Sequence, residues 1–242
     1  MRTTHLFPAL LCTLACGSDT ARTRIDFAVE AGGLARQGPI TTEGGWTVEL
    51  STAELSVAGL YFFEGEPLFA RVDRRPMHER LLGLVIGTAH AHPGHYVEGE
   101  ALADLLQPVT LDLLAPDQTL GQANGVSGAY NSVRVVLKPA AALDNHTARM
   151  AGTASKDGVT VRFTASLTLD KAIEGVAFGA DLEASNGKVH LAIDPAEWVR
   201  RVDFGTLDTT QVVELEDGTQ PYNAFTRGVE NTTAFHFSWI PG

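Results

Sequence analysis

Cysteine is almost missing from this 242-residue chain: Cys12 and Cys16, both near the N-terminus, are the only two. Two thiols cannot build a disulfide-stapled scaffold or a four-cysteine metal centre. Basic residues are scarce as well. Eighteen Lys and Arg stand against 29 Asp and Glu, a formal charge of −11. The chain lacks the positive surface that a phosphate backbone requires, so nucleic acid is not its default partner. No run of 18 or more apolar residues occurs outside the leader, which excludes a membrane-spanning helix in the body. Several catalytic signatures are also wanting. Gly125-Val126-Ser127-Gly128 lacks the spacing of a nucleophile elbow. No glycine-rich phosphate loop follows a strand, and His78-Glu79 has no second histidine at the step a zinc-protease helix needs. Neither a Pro- or Ser-rich linker nor an internal repeat divides the chain. What is present is material for a core: 44% of residues are hydrophobic and only 19% charged, which speaks against disorder. A single domain over residues 24–242 is the expectation.

The first residues read as an export signal. Arg2 supplies the positive end, and Leu6 to Ala15 is an apolar stretch too short to span a bilayer. Thr13-Leu14-Ala15-Cys16 resembles the lipobox of bacterial lipoproteins. That resemblance implies cleavage after Ala15 and acylation (palmitate among the chains) of Cys16. Residues 1–15 are then a signal peptide and 16–23 a lipidated tether. Thr13 departs from the more usual leucine, and an ordinary secretory peptide cut elsewhere is the competing reading. Gly17, where the family's inner-membrane signal has Asp, implies sorting to the outer membrane, facing the periplasm. Removal of Arg2 with the leader takes the charge from −11 to −12. Cys16 becomes an anchor, and the body keeps no thiol.

The body alternates as antiparallel β. In Val159–Leu169, apolar Val159, Val161, Phe163, Ala165, Leu167 and Leu169 are interleaved with Thr160, Arg162, Thr164, Ser166 and Thr168, one face buried and one wet. Lys156-Asp157-Gly158 predicts a turn that pairs this strand with one near Ala148–Ala154. Asn186-Gly187 predicts a second hairpin, joining Val176–Ala184 to Lys188–Ile193. Further strands are expected at Arg24–Glu30, Thr47–Ser51, Glu54–Phe63, Val109–Leu114, Val133–Lys138 and Ala234–Trp239. Asp194-Pro195-Ala196-Glu197 predicts a short helix into Trp198–Val202, and Glu98–Leu106 is a second helix candidate. The fold class expected is all-β: an antiparallel β-sandwich or partly open barrel, with one or two short helices and a long His-containing insertion. Trp46, Trp198 and Trp239 are expected to anchor the core or a sheet edge.

The insertion breaks the pattern. Residues 64–107 alternate poorly, and long irregular segments inside compact domains commonly carry function. Within them, Thr88-Ala89-His90-Ala91-His92-Pro93-Gly94-His95-Tyr96 holds three of the eight histidines. On an extended segment His90 and His92 share a side, their Cα atoms about 7 Å apart. Pro93-Gly94 can turn His95 back toward them. Three neutral imidazoles suit a divalent transition ion, with Zn or Cu the candidates and Zn–N bonds of about 2.0–2.1 Å. Glu98 is the preferred fourth ligand, with Glu100, His78 or water as alternatives. The same triple also suits a solvated loop, or a pH-sensitive cluster. His190 and His236 alternate with apolar neighbours and are assigned to wet faces, and His146 to a turn.

Three stretches carry a resemblance to an uncharacterised group of bacterial exported lipoproteins: the lipobox, Gly45-Trp46-Thr47-Val48 with Ala58-Gly59-Leu60-Tyr61-Phe62-Phe63, and Ala89-His90-Ala91-His92-Pro93-Gly94-His95. Val189-His190-Leu191 and Trp198 through Val202-Asp203-Phe204 extend it over most of the body. The resemblance implies a lipoprotein and no particular activity. Ile25-Asp26-Phe27-Ala28-Val29-Glu30-Ala31-Gly32-Gly33 and Leu143-Asp144-Asn145-His146 are similar, more faintly, to the periplasmic copper proteins associated with methanobactin clusters, whose cysteines and Trp-rich segment this chain lacks. The reading is therefore a lipid-anchored envelope protein. It handles a divalent metal through His90, His92, His95 and Glu98, and delivers it to an outer-membrane receptor or other envelope protein. The alternative is a non-catalytic module that binds a protein or glycan. A metal hydrolase, with Glu98 or Glu100 as base, is a third and weaker reading, and a binding protein is favoured over an enzyme.

Overall fold

The computed structural model describes residues 22–34, 38–67, 98–183 and 186–242. Among these, thirteen strands form one mixed sheet: β1 Arg24–Gly33, β2 Ile40–Thr41, β3 Thr47–Phe63, β4 Ala101–Leu105, β5 Val109–Asp112, β6 Gln118–Val126, β7 Gly128–Leu137, β8 Ala148–Lys156, β9 Val159–Leu167, β10 Lys171–Leu182, β11 Gly187–Ile193, β12 Val212–Glu214 and β13 Phe235–Pro241. The helices are α1, Ala196–Val199, and α2, Gln220–Val229. The all-β architecture expected from the alternation is the one observed.

The seventeen-residue β3 is the spine. Its first part pairs with β8 from Thr47 to Leu55, and its second part pairs on the same edge with β7 from Val57 to Phe63. Its opposite edge takes β5 and then β4. Two sheets therefore diverge from one strand. From the second part the order runs β3, β4, β6, β1, β11, β13. This brings β13 back beside β10, which pairs with β7. No ladder joins β10 to β13 among the described residues, so this half is a barrel with one open seam. Its interior is aromatic. Phe27, Phe62, Tyr130, Phe178, Phe237 and Trp239 interlock edge-on or tilted, with ring centroids 5.5–6.4 Å apart, a geometry the ring quadrupoles favour. The Phe178–Phe237 pair closes the seam with side chains. The other half is a wing of β8, β9 and β12 on the first part of β3. Trp46 and Phe163 both meet Phe204 there, and α1 packs on α2 through Trp198 and Phe225. One continuous buried cluster runs through both halves.

Several local expectations change. The segments around Thr47–Ser51 and Glu54–Phe63 are one strand, bulged between Leu50 and Thr52. Gly152 permits the bulge, since a Cβ there would lie 2.3 Å from the Glu49 carbonyl oxygen. Glu98–Leu106 is not a helix: Ala101–Leu105 is β4, with Leu102, Ala103 and Leu105 buried between β3 and β6. Asn186-Gly187 makes no hairpin of β10 with β11. The chain crosses instead, and β11 lies between β1 and β13. Its pairing with β1 is parallel, as is that of β12 with β9; all other ladders are antiparallel. Helix α2 has no counterpart in the sequence-based expectation.

Candidate functional site: the neck of the insertion

The three expected metal ligands His90, His92 and His95 lie outside the described residues, as does Cys16. Glu98, the fourth, is described. It stands where the chain re-enters the sheet, and that re-entry point is tightly built.

Two backbone bonds extend the β3–β4 ladder outward. The Gly65 N–H donates to the Glu98 carbonyl (2.9 Å) and the Glu64 N–H to the Glu100 carbonyl (3.1 Å). Gly99 allows this close approach. Its φ is +71°, and a Cβ would lie 2.9 Å from the Gly65 nitrogen, so the position demands glycine. The neighbouring strand β7 adds two side-chain donors. Asn131 Nδ2 bonds the Glu64 carbonyl, and Ser132 Oγ bonds the Gly65 carbonyl, both at 2.7 Å. Residues 67 and 98, the ends of the 30-residue segment between them, thus leave the barrel side by side.

Two arginines lock the same place. Arg22, just ahead of β1, donates from Nη2 to Glu64 and from Nη1 to Glu100, each at 3.0 Å. The hydrogen bond to Glu64, with the charge of Glu100, raises the Arg22 guanidinium above its ordinary pKa. Thr23 and Ser127 exchange bonds beside it (2.7 and 2.9 Å). Arg134 on β7 pairs with Glu98 Oε1 and lies 3.6 Å from Glu174. Its guanidinium carbon sits 5.3 Å from the centroid of Phe63 and 5.9 Å from that of Tyr61, a cation–π arrangement. Oε1 of Glu98 is therefore engaged by Arg134.

A second polar cluster lies elsewhere. In α1, Glu197 is buried, and its carboxylate takes Arg200 and Asn231 (3.2 Å). At the helix start Asp194 Oδ1 accepts from the Ala196 N–H at 2.9 Å. Arg201 and Arg227 complete the wall of this small recess. The remaining described histidines behave as surface groups. His190 Nε2 is 3.1 Å from Asp117, His146 Nδ1 is 3.1 Å from Thr168, and His236 is exposed. Glu214 and Glu216 are exposed as well. Among the described residues, no three His, Cys, Asp or Glu side chains converge as a metal-binding group, and no helix is long and apolar enough to cross a membrane.

Sequence reading passed over Arg22, Glu64 and Arg134. A signal for them existed, because acids flank the insertion on both sides, at Glu64 and Glu66 and again at Glu98 and Glu100. Their cationic partners come from distant strands that no local pattern connects.

No family model matches the chain, and neither a curated protein nor a solved structure resembles it closely enough to count as a match. Fold and site therefore stand on their own geometry.

Proposed function

We propose that this protein is a lipid-anchored envelope protein of the periplasm and outer membrane, acylated on Cys16. In this reading it binds a divalent transition metal, Zn or Cu, through His90, His92 and His95 with Glu98 as a further ligand, for buffering or delivery to an envelope partner. The observation that carries the reading is the three-histidine run on a segment whose two ends are pinned together at the neck. A loop held at both ends loses less entropy when its side chains converge on an ion than one with free ends. Glu98 joins as a ligand while Arg134 holds its Oε1. The test is metal titration of the chain lacking residues 1–16, beside His90→Ala/His92→Ala. Stoichiometric binding that the double variant abolishes supports the reading, and equal metal content in both sinks it.

A second reading, an interaction module for a protein or glycan, is favoured by the free edge of the wing. Val212 on the three-residue β12 is 54% exposed. Grooves of about 440 and 430 Å³ flank it, one between β12 and the start of α2, the other along β3, β8 and β9. A partner captured through this edge, indifferent to chelator and to the histidine substitutions, distinguishes it.

A further inference from the structure

The wing ends on β12, which pairs in parallel with β9, Val213 beside Phe163. The Leu215 N–H donates to the Thr164 carbonyl at 2.8 Å. Backbone groups of alternate residues in a strand point to opposite edges, so Leu215 and Val213 face β9. Val212 and Glu214 turn their N–H and C=O groups the other way, where no further strand pairs with them among the described residues. Such an edge is a template for another strand. The two faces beside it differ. Val212 shares the outer face with Arg162, and Val213 shares the inner face with buried Phe163. The groove of about 440 Å³ between β12 and the start of α2 has Leu207, Val213 and Pro221 as its apolar lining. Asp208, Glu214 and Glu216 line it too, and no Lys, Arg or His does. At the neck, Glu64, Glu98 and Glu100 each have an arginine. Among the described residues the three acids of this groove have no cation; Asp208 accepts from Thr210 and Gln211.

We infer that β12 is a docking strand for an extended segment of a partner protein that carries Lys or Arg at alternate positions. The inference rests on the interaction-module reading and names the partner's chemistry; the metal site plays no part in it. Added to the open edge, the segment takes the backbone groups of Val212 and Glu214. Side chains of a strand alternate between faces, so every second one enters the groove. There a Lys or Arg stem lies along Leu207, Val213 and Pro221 while its charged end enters the field of Asp208, Glu214 and Glu216. The intervening side chains cross the outer face and cover Val212, which is 54% exposed. An acidic segment is rejected at the same place, because three unpaired carboxylates repel it.

The test measures binding of two capped peptides to the full chain: Val-Lys-Val-Lys-Val-Lys-Val and its counterpart with Glu in place of Lys. The Lys peptide should bind and the Glu peptide should not. Glu214→Lys/Glu216→Lys, at two exposed residues, should weaken binding by about tenfold or more, as attraction is exchanged for repulsion. Asp181→Lys/Glu183→Lys makes the same charge change at exposed residues at the end of β10 and should leave binding within about twofold, since charges beyond a Debye length are screened. Val212→Pro removes the outward N–H without touching the β9 ladder, a position where an edge strand tolerates proline. It should weaken binding as strongly as the charge reversal at an unchanged thermal midpoint. Equal binding of the two peptides, or an equal loss in Asp181→Lys/Glu183→Lys, overturns the cationic partner and leaves the module reading standing. Undiminished binding to a folded Val212→Pro overturns the edge pairing. Binding of neither peptide overturns the inference; the module reading fails separately, when the chain retains no protein or glycan in a way that Val212→Pro alters.

Discussion

Tyr130 carries the sharpest single-residue consequence. Its ring is fully buried among Phe27, Phe62 and Phe178, and its hydroxyl donates to the Val126 carbonyl at 2.7 Å. Burial pushes the phenol up to about 12. An unfolded tyrosine loses its proton near pH 10, whereas the folded one keeps it. The stabilisation is thus complete below about pH 10 and is lost as pH rises toward 12, by about 1.4 kcal/mol per unit. Tyr130→Phe should cost about 1 kcal/mol at neutral pH through the lost buried hydrogen bond and should flatten the alkaline decline. Urea midpoints on either side of about pH 10 check both, and an identical alkaline slope in the variant refutes the assignment. Gly228 is the matching case for packing. A Cβ there would lie 2.4 Å from the Glu197 carbonyl oxygen and 2.6 Å from the Trp198 Cα, so α1 and α2 cross on bare backbone. Gly228→Ala should destabilise by about 1–3 kcal/mol, read as a lowered thermal midpoint.

At the level of elements, sequence legibility followed the reach of the signal. The β8–β9 hairpin was readable because everything that makes it is local. Asp157 and Gly158 take positive φ of 49° and 81°, and the alternation of Val161, Phe163, Ala165 and Leu167 continues straight out of the turn. Asn186-Gly187 carried as strong a local signal and misled. A turn motif reports a reversal of direction, whereas β11 is claimed by β1 and β13 through apolar Val189, Leu191 and Ile193. Helix α2 went unseen behind Thr219-Gln220-Pro221. Its cap, the Thr219 hydroxyl accepting from the Tyr222 N–H, and its buried Ala224, Phe225, Gly228 and Val229 are plain once the helix is known. In sequence, two turn-prone glycines and a proline hide them. The neck was illegible because Arg22 and Arg134 come from opposite sides of the barrel. Arg134 is predicted to be its main fastener. Lysine keeps the charge but not the planar guanidinium, whose Nη2 pairs with Glu98 and lies near Glu174 while its carbon sits over two rings. Arg134→Lys should therefore accelerate amide exchange at Glu64 and Gly65 by roughly tenfold, equivalent to about 1.4 kcal/mol of local opening. Amides in β9 should be untouched. Unchanged exchange at the neck would show that the backbone ladder suffices without the arginine.

For the whole molecule, the decisive question is whether the insertion belongs to the fold or is carried by it. Among the described residues, the aromatic interior and the wing core form one continuous buried cluster. Pro67 and Glu98 are already brought together by the Gly65–Glu98 and Glu64–Glu100 bonds, so a two-residue Asn-Gly turn can join them without moving β3 or β4. Closing a loop of a few residues in place of thirty lowers the entropic cost of folding by about 1–2 kcal/mol. The excised protein should keep its β-sheet circular dichroism and unfold at an equal or higher urea concentration. It should bind no Zn or Cu, and it should still float with vesicles when acylated at Cys16. The combination separates the three parts of the proposal. A collapse of the fold would make the insertion a structural element and not a carried one. Retained metal binding would move the site off the histidines and onto the barrel. Lost vesicle association in an acylated chain would place membrane attachment in the insertion itself, where the lipid on Cys16 is expected to supply it.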